Sequence, residues 1–106
     1  MKNNLIIIFI TCASKREASA IAGSLLKKRL VACANIVHNI RSGFWWMGKI
    51  DKAAETLVIC KTTKSNFKAV EIDVKKNHSY DVPEIAAVPI VLVSKEYRRW
   101  VEDSVR

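Results

Sequence analysis

The 106-residue sequence is half apolar and carries a formal net charge of +8, from 18 Lys plus Arg against 10 Asp plus Glu. The apolar fraction excludes intrinsic disorder, and the length sets one domain, residues 1–106, with no room for a second core. The basic residues are spread along the chain with no block of five like charges, which excludes a basic binding tail and reads as a solvated surface suited to anions.

Leu5 to Cys12 is a continuous β-branched and aromatic run, the pattern of a strand covered on both faces. Ser14-Lys15-Arg16-Glu17 then matches a capping box, and Ala18, Ile21, Ala22, Leu25 and Leu26 form one apolar stripe, predicting a helix over 14–29. A second strand spans Val31 to Phe44. A third spans Thr56 to Thr62 and is reached through a polar connection, Lys49 to Ala54, so the two form an antiparallel hairpin. Phe67, Val70 and Val74 recur at helical spacing between Ser65 and Asn77. Ile85 to Val93 reads as a fourth strand that Pro89 confines to a sheet edge or bulge. Glu96 to Val105 closes the chain as a helix capped by Ser94. This order predicts an α+β fold, a ferredoxin-like βαββαβ sandwich with a C-terminal helix, its four-stranded antiparallel sheet carrying helices on one face. Those helices cover half of the first strand's apolar residues, and a second copy of the chain is the economical cover for the rest.

Cys12, Cys33 and Cys60 are odd in number and far apart, so they read as reduced thiols rather than a disulfide framework. Met1-Lys2 and the apolar run behind it imitate a signal peptide, but no A-x-A-like site follows. No apolar run approaches the ~18 residues of a membrane helix, and a cytoplasmic location is expected.

Four constellations invite a function. The segment Ser42 to Lys49 concentrates Trp45 and Trp46, the amphipathic aromatics favoured at interfaces and in ligand grooves. An RNA-recognition module would carry aromatics in its third strand, and Thr56 to Thr62 has none, so nucleic acid is not the expected partner. His78-Ser79-Tyr80-Asp81-Val82-Pro83-Glu84 gathers ionisable groups in a short loop, and His78 with a cysteine makes the best soft-metal pair. With three glycines in all, no phosphate-cradling loop is available, and no motif specifies a nucleophile, so an enzyme is not expected.

Taken in order, Arg29-Leu30-Val31-Ala32-Cys33-Ala34-Asn35-Ile36, Ser42 through Trp45-Trp46-Met47-Gly48-Lys49-Ile50, Glu55 with Lys61-Thr62, His78 through Ile85, and Tyr97-Arg98-Arg99-Trp100 resemble the CutA family of divalent-cation tolerance proteins. The resemblance implies a tight homotrimer that buries the second sheet face, and an association with copper or another divalent cation. On that reading His78 and Cys12 are the metal candidates, Trp45 and Trp46 the interface aromatics, and Glu55, Lys61, Tyr80 and Glu84 the residues of a ligand cleft. An alternative use of the cleft is a signalling or adaptor trimer that takes a small anion or a partner protein without metal. The sequence departs from the family's pattern in three places. Phe44 stands where the family most often has Tyr, and Ile10 and Asn77 replace a Cys and a His that some relatives use for copper, so metal binding is expected to be weak.

Overall fold

The computed structural model describes residues 4–106, and Met1-Lys2 of the leader-like start lie outside them. The chain runs β1 (Leu5–Cys12), α1 (Lys15–Lys27), β2 (Cys33–Trp46), β3 (Lys49–Thr63), a 3-10 turn (Lys64–Asn66), α2 (Phe67–Asn77), β4 (Ile85–Pro89) and α3 (Lys95–Ser104). The four strands form one sheet in the order β2-β3-β1-β4, with every neighbouring pair antiparallel. This is the expected ferredoxin-like topology.

Because β1 lies between β3 and β4, its alternate side chains face two different layers. Ile6, Ile8, Ile10 and Cys12 join Val58 and Cys60 of β3 and bury against Ala18, Ile21 and Leu25 of α1 and Val70 and Val74 of α2. Leu26, expected on the same stripe, is 43% exposed and falls outside the core. Helix α1 stops at Lys27, short of Arg29, because Arg29 takes the left-handed conformation with φ 56°. Its N–H bonds Leu26 O, and that of Leu30 bonds Leu25 O, the paired bonds of a Schellman turn built without the usual glycine.

The hairpin is longer than its apolar pattern. Strand β3 begins at Lys49, so Lys49 to Ala54 is strand rather than connection. The reversal needs only Met47 (φ 52°) and Gly48 (φ 77°), a two-residue turn whose positive φ values match the twist of the paired strands. A register shift between Val37 and Ile40, with Asn39 at φ 63°, bulges β2. Strand β4 ends at Pro89 instead of Val93, and as an edge strand it tolerates the missing N–H.

The second face is partly closed by the chain itself, a correction to the expectation that helices lie on one side only. Helix α3 packs against β3, and Tyr97 touches Cys33, whose register partner Lys61 alternates with the core-facing Cys60 and Thr62. Helix α3 therefore lies opposite α1 and α2. Ile7, Phe9, Leu57 and Ile59 on this face stay half-buried.

Helices α1 and α2 are tied by a polar link. The buried Asp73 carboxylate accepts from Ser24 Oγ at 2.7 Å and from Lys28 Nζ at 2.5 Å. Burial pushes the Asp73 carboxyl up, but the Lys28 and Ser24 donors outweigh it and hold it below the ordinary carboxylate range. Removing it with Asp73→Ala should cost about 1–2 kcal/mol in urea unfolding at neutral pH, since the half-exposed Lys28 regains water. A carboxylate depressed in the folded state stabilises above its unfolded pKa, so the deficit relative to the parent should vanish as pH falls through the folded value. An undiminished deficit in acid would sink this reading.

Candidate functional site

The C-terminal end of β1 delivers Thr11 and Cys12 to the base of α1 and to the loop that follows α2. Cys12 Sγ, a Glu17 oxygen and a His78 ring nitrogen lie within 4.8 Å of one another. The two metal candidates read from the sequence thus come together, and Glu17 joins them. Sequence reasoning placed Glu17 only as a helix cap, which it also is.

Each group is already engaged. Glu17 Oε1 accepts from Ala13 N–H and Oε2 from Ser79 N–H, both at 3.0 Å, while its own N–H donates to Ser14 Oγ. Burial would raise the Glu17 carboxyl, but the Ala13 and Ser79 donors and the nearby His78 ring hold it below its usual range. The His78 side chain is 1% exposed, with Nδ1 3.7 Å from Glu17. Nδ1 accepts from Tyr80 N–H at 3.1 Å, so the ring proton sits on Nε2 and is donated to Thr11 O at 2.8 Å. Cys12 is wholly buried, and burial, then Glu17 and Glu55, push its thiol up to about 12. The cluster is a set of metal-ligating atoms held as a hydrogen-bonded latch.

The four cleft candidates do not converge within one subunit. The Tyr80 ring lies against His78 at a tilt, with centroids 4.8 Å apart, and its hydroxyl donates to Glu55 Oε2 at 2.7 Å, so Tyr80 and Glu55 form a unit beside the latch. Lys61 sits six residues further along β3, about 20 Å away at strand spacing, where it donates to Asn35. Glu84 is exposed. Trp45 and Trp46 flank the hairpin turn and are 73% and 48% exposed, with Met47 at 86%. Phe44 is part-exposed opposite Asp51. Ile10 is fully buried, and Asn77 donates to Asp73 O, closing the end of α2. Both replacements are therefore committed to the fold.

A family model described as CutA1 divalent ion tolerance protein matches residues 6–104. The divalent-cation tolerance protein CutA of Archaeoglobus fulgidus is 46% identical over 98 residues, 92% of this chain and 95% of that protein. The chloroplastic CutA 1 of Oryza sativa subsp. japonica is 42% identical over 101 residues, and the chain spans 95% of its own length but 57% of that relative's. The crystal structure of CutA1 from Oryza sativa superposes with a TM-score of 0.95 at 40% identity, covering 99% of this chain and 96% of the other. The structure described as periplasmic CutA from Archaeoglobus fulgidus superposes at 0.93 with 44% identity, covering 96% and 99%.

The Tyr80–Glu55 contact generates a test. Burial, then the bonded Glu55 carboxylate, push the Tyr80 phenol up to about 12, so it stays a donor at neutral pH. Tyr80→Phe strands a carboxylate that is 7% exposed and should lower stability by about 1–3 kcal/mol in thermal or urea unfolding. Unchanged stability would mean that Glu55 finds another donor.

Proposed function

The chain belongs to the CutA1 divalent ion tolerance family, and from that premise we propose that it serves divalent-cation tolerance as a non-enzymatic homotrimer holding a metal ion weakly at Cys12, Glu17 and His78. The observation that carries the metal reading is the meeting of a thiol, a carboxylate and an imidazole within 4.8 Å. Imidazole and thiolate suit copper and zinc, and copper stands highest in the general order of divalent affinities. Those groups fit a metal chemically, at a cost. Binding must displace the Tyr80 N–H from Nδ1 or the Thr11 carbonyl from Nε2, and must deprotonate Cys12. A thiol raised from 9.0 to about 12 has roughly a thousandfold smaller thiolate fraction at neutral pH than an ordinary one. Each of these costs weakens the binding expected here relative to that of a closed site.

The trimer reading rests on unsatisfied surface. Trp45, Met47 and Ile50 stand out at the hairpin tip, Val91 and Leu92 are 83% and 89% exposed beyond β4, and Ile7, Phe9, Leu57 and Ile59 are only half covered. Apolar surface of this kind marks contact sites, and different patches meeting head to tail close into rings. The cysteines are free, which suits a reducing compartment, and we place the protein in the cytoplasm. No helix of the described residues is long and apolar enough to cross a membrane.

Two measurements test these readings. Calorimetric titration with copper and zinc should give copper the tighter binding. Its affinity should rise about tenfold per pH unit between pH 6 and 8 as one thiol proton is released, and should disappear in both His78→Ala and Cys12→Ser. Tight, pH-independent binding that survives His78→Ala would refute the site. Light scattering should return three times the 12.0 kDa subunit mass, and Trp46→Ala should weaken assembly by about 2 kcal/mol or more as judged by dilution. A monomeric parent, or a variant that assembles like the parent, would remove the hairpin from the interface.

A further inference from the structure

The C-terminal end of α1 gathers positive charge from distant parts of the chain. Lys27 and Lys28 close the helix, Arg29 turns the backbone and Arg106 stands beside them, and these four line an open concavity of about 460 Å³. The two arginines are fixed by main-chain bonds: Arg29 Nη1 donates to Ser104 O at 3.1 Å, and Arg106 N–H donates to Arg29 O at 3.0 Å. Lys28 is paired with Asp73, a carboxylate that also feels Lys76. Among the described residues Lys27, Arg29 and Arg106 enter no ion pair. The basin lies about 15 Å along α1 from Glu17 and uses none of the residues of the metal cluster or the ligand cleft.

Helix capping accounts for part of this charge. Lys27 and Lys28 complement the negative end of the α1 dipole. That role does not call for Arg29, which takes φ 56° at the position where glycine avoids the cost of a left-handed residue, nor for Arg106 beside it. The Arg29 guanidinium spends one donor on Ser104 O, and the donors left over form a planar fork that matches phosphate oxygens. Like charges drawn into one concavity raise the local concentration of anions. All four residues are exposed, so each contact is screened by water, and an anion must touch several of them at once to be held. We propose that Lys27, Lys28, Arg29 and Arg106 form a binding site for a diphosphate group, free or carried by a nucleoside.

Calorimetry on the full-length protein, dialysed free of metal ions, tests this with sodium pyrophosphate, ADP and sodium phosphate in separate titrations at matched ionic strength. Pyrophosphate should bind saturably, with a dissociation constant that rises at least about tenfold from low to high sodium chloride. ADP bound as tightly as pyrophosphate assigns the diphosphate group alone, ADP bound more tightly a nucleoside diphosphate, and ADP bound more weakly the free anion. The pyrophosphate dissociation constant should rise at least about fivefold in Arg29→Gly, which keeps the turn and removes the fork, and in Lys27→Gln combined with Arg106→Gln. It should stay within about twofold in Lys15→Gln at the other end of α1 and in Lys49→Gln at the hairpin tip. The Lys27 and Arg106 double variant carries the test where Arg29→Gly does not fold. The proposal is overturned when pyrophosphate does not bind, when binding survives the double variant, or when sodium phosphate binds as tightly as pyrophosphate. It is also overturned when Lys15→Gln and Lys49→Gln weaken binding as much as the basin variants, because total charge rather than the basin then holds the anion.

Discussion

Eight residues, Leu5 to Cys12, have two surfaces to bury at once. Strand β1 is hydrogen-bonded on both edges, to β3 and β4, so it cannot rotate to favour one face. Its even-numbered residues need the α1–α2 layer and its odd-numbered residues need something on the far side. Much of the remaining architecture answers that demand. The Schellman turn at Arg29 ends α1 in time for the chain to return as β2, and Arg29 O then accepts from Arg106 N–H while Arg29 Nη1 donates to Ser104 O, fastening the end of α3. Helix α3 can in consequence lie across part of the odd-numbered face, where Val101 is fully buried.

The same strand sets up the latch. Where β1 ends, the Thr11 carbonyl and the Cys12 thiol meet the first turn of α1 and the loop after α2, and Glu17 accepts from backbone donors on both sides of the junction. A carboxylate in this position does two jobs with one charge: it favours the positive end of the α1 dipole, and it pins a loop 62 residues away in sequence. Full satisfaction of the latch explains why the cluster is both a plausible ligand set and a reluctant one. Every ligand atom that a metal would use has a competing hydrogen bond or proton, so occupancy and loop order are coupled in opposite directions.

Much of this was legible in the residues. The run from Leu5 to Cys12, the Ser14 and Glu17 cap signals and the Phe67, Val70, Val74 stripe located β1, α1 and α2, because local patterning and final burial agree there. The outer half of the hairpin was not legible. Lys49 to Ala54 lacks apolar alternation since neither of its faces is buried within the subunit, and main-chain pairing across a two-residue turn needs no such pattern. The fourth strand was overextended for the opposite reason: Ile90 to Val93 is apolar yet exposed or half-buried, so its composition answers a demand other than the subunit's own core. At the site, His78 and Cys12 were legible as residue types, whereas Glu17 was hidden behind its capping role. Lys61 was grouped with Glu55 through the family resemblance, and strand spacing separates the two within one subunit.

The bulge at Val37–Ile40 and the tight turn at Met47-Gly48 have a hydrodynamic consequence. They make the far half of the hairpin an arm that projects past the helices, and the subunit measures 45 × 26 × 22 Å. Rotational drag rises steeply with the length of a particle, so a lone subunit tumbles slowly about its short axes and quickly about its long one. Its relaxation is set by a two-stranded ribbon that contributes little to the core. Trp45 and Trp46 ride on that arm, and with the third tryptophan removed as Trp100→Phe their fluorescence depolarisation measures whether the arm swings in water or lies against a neighbour.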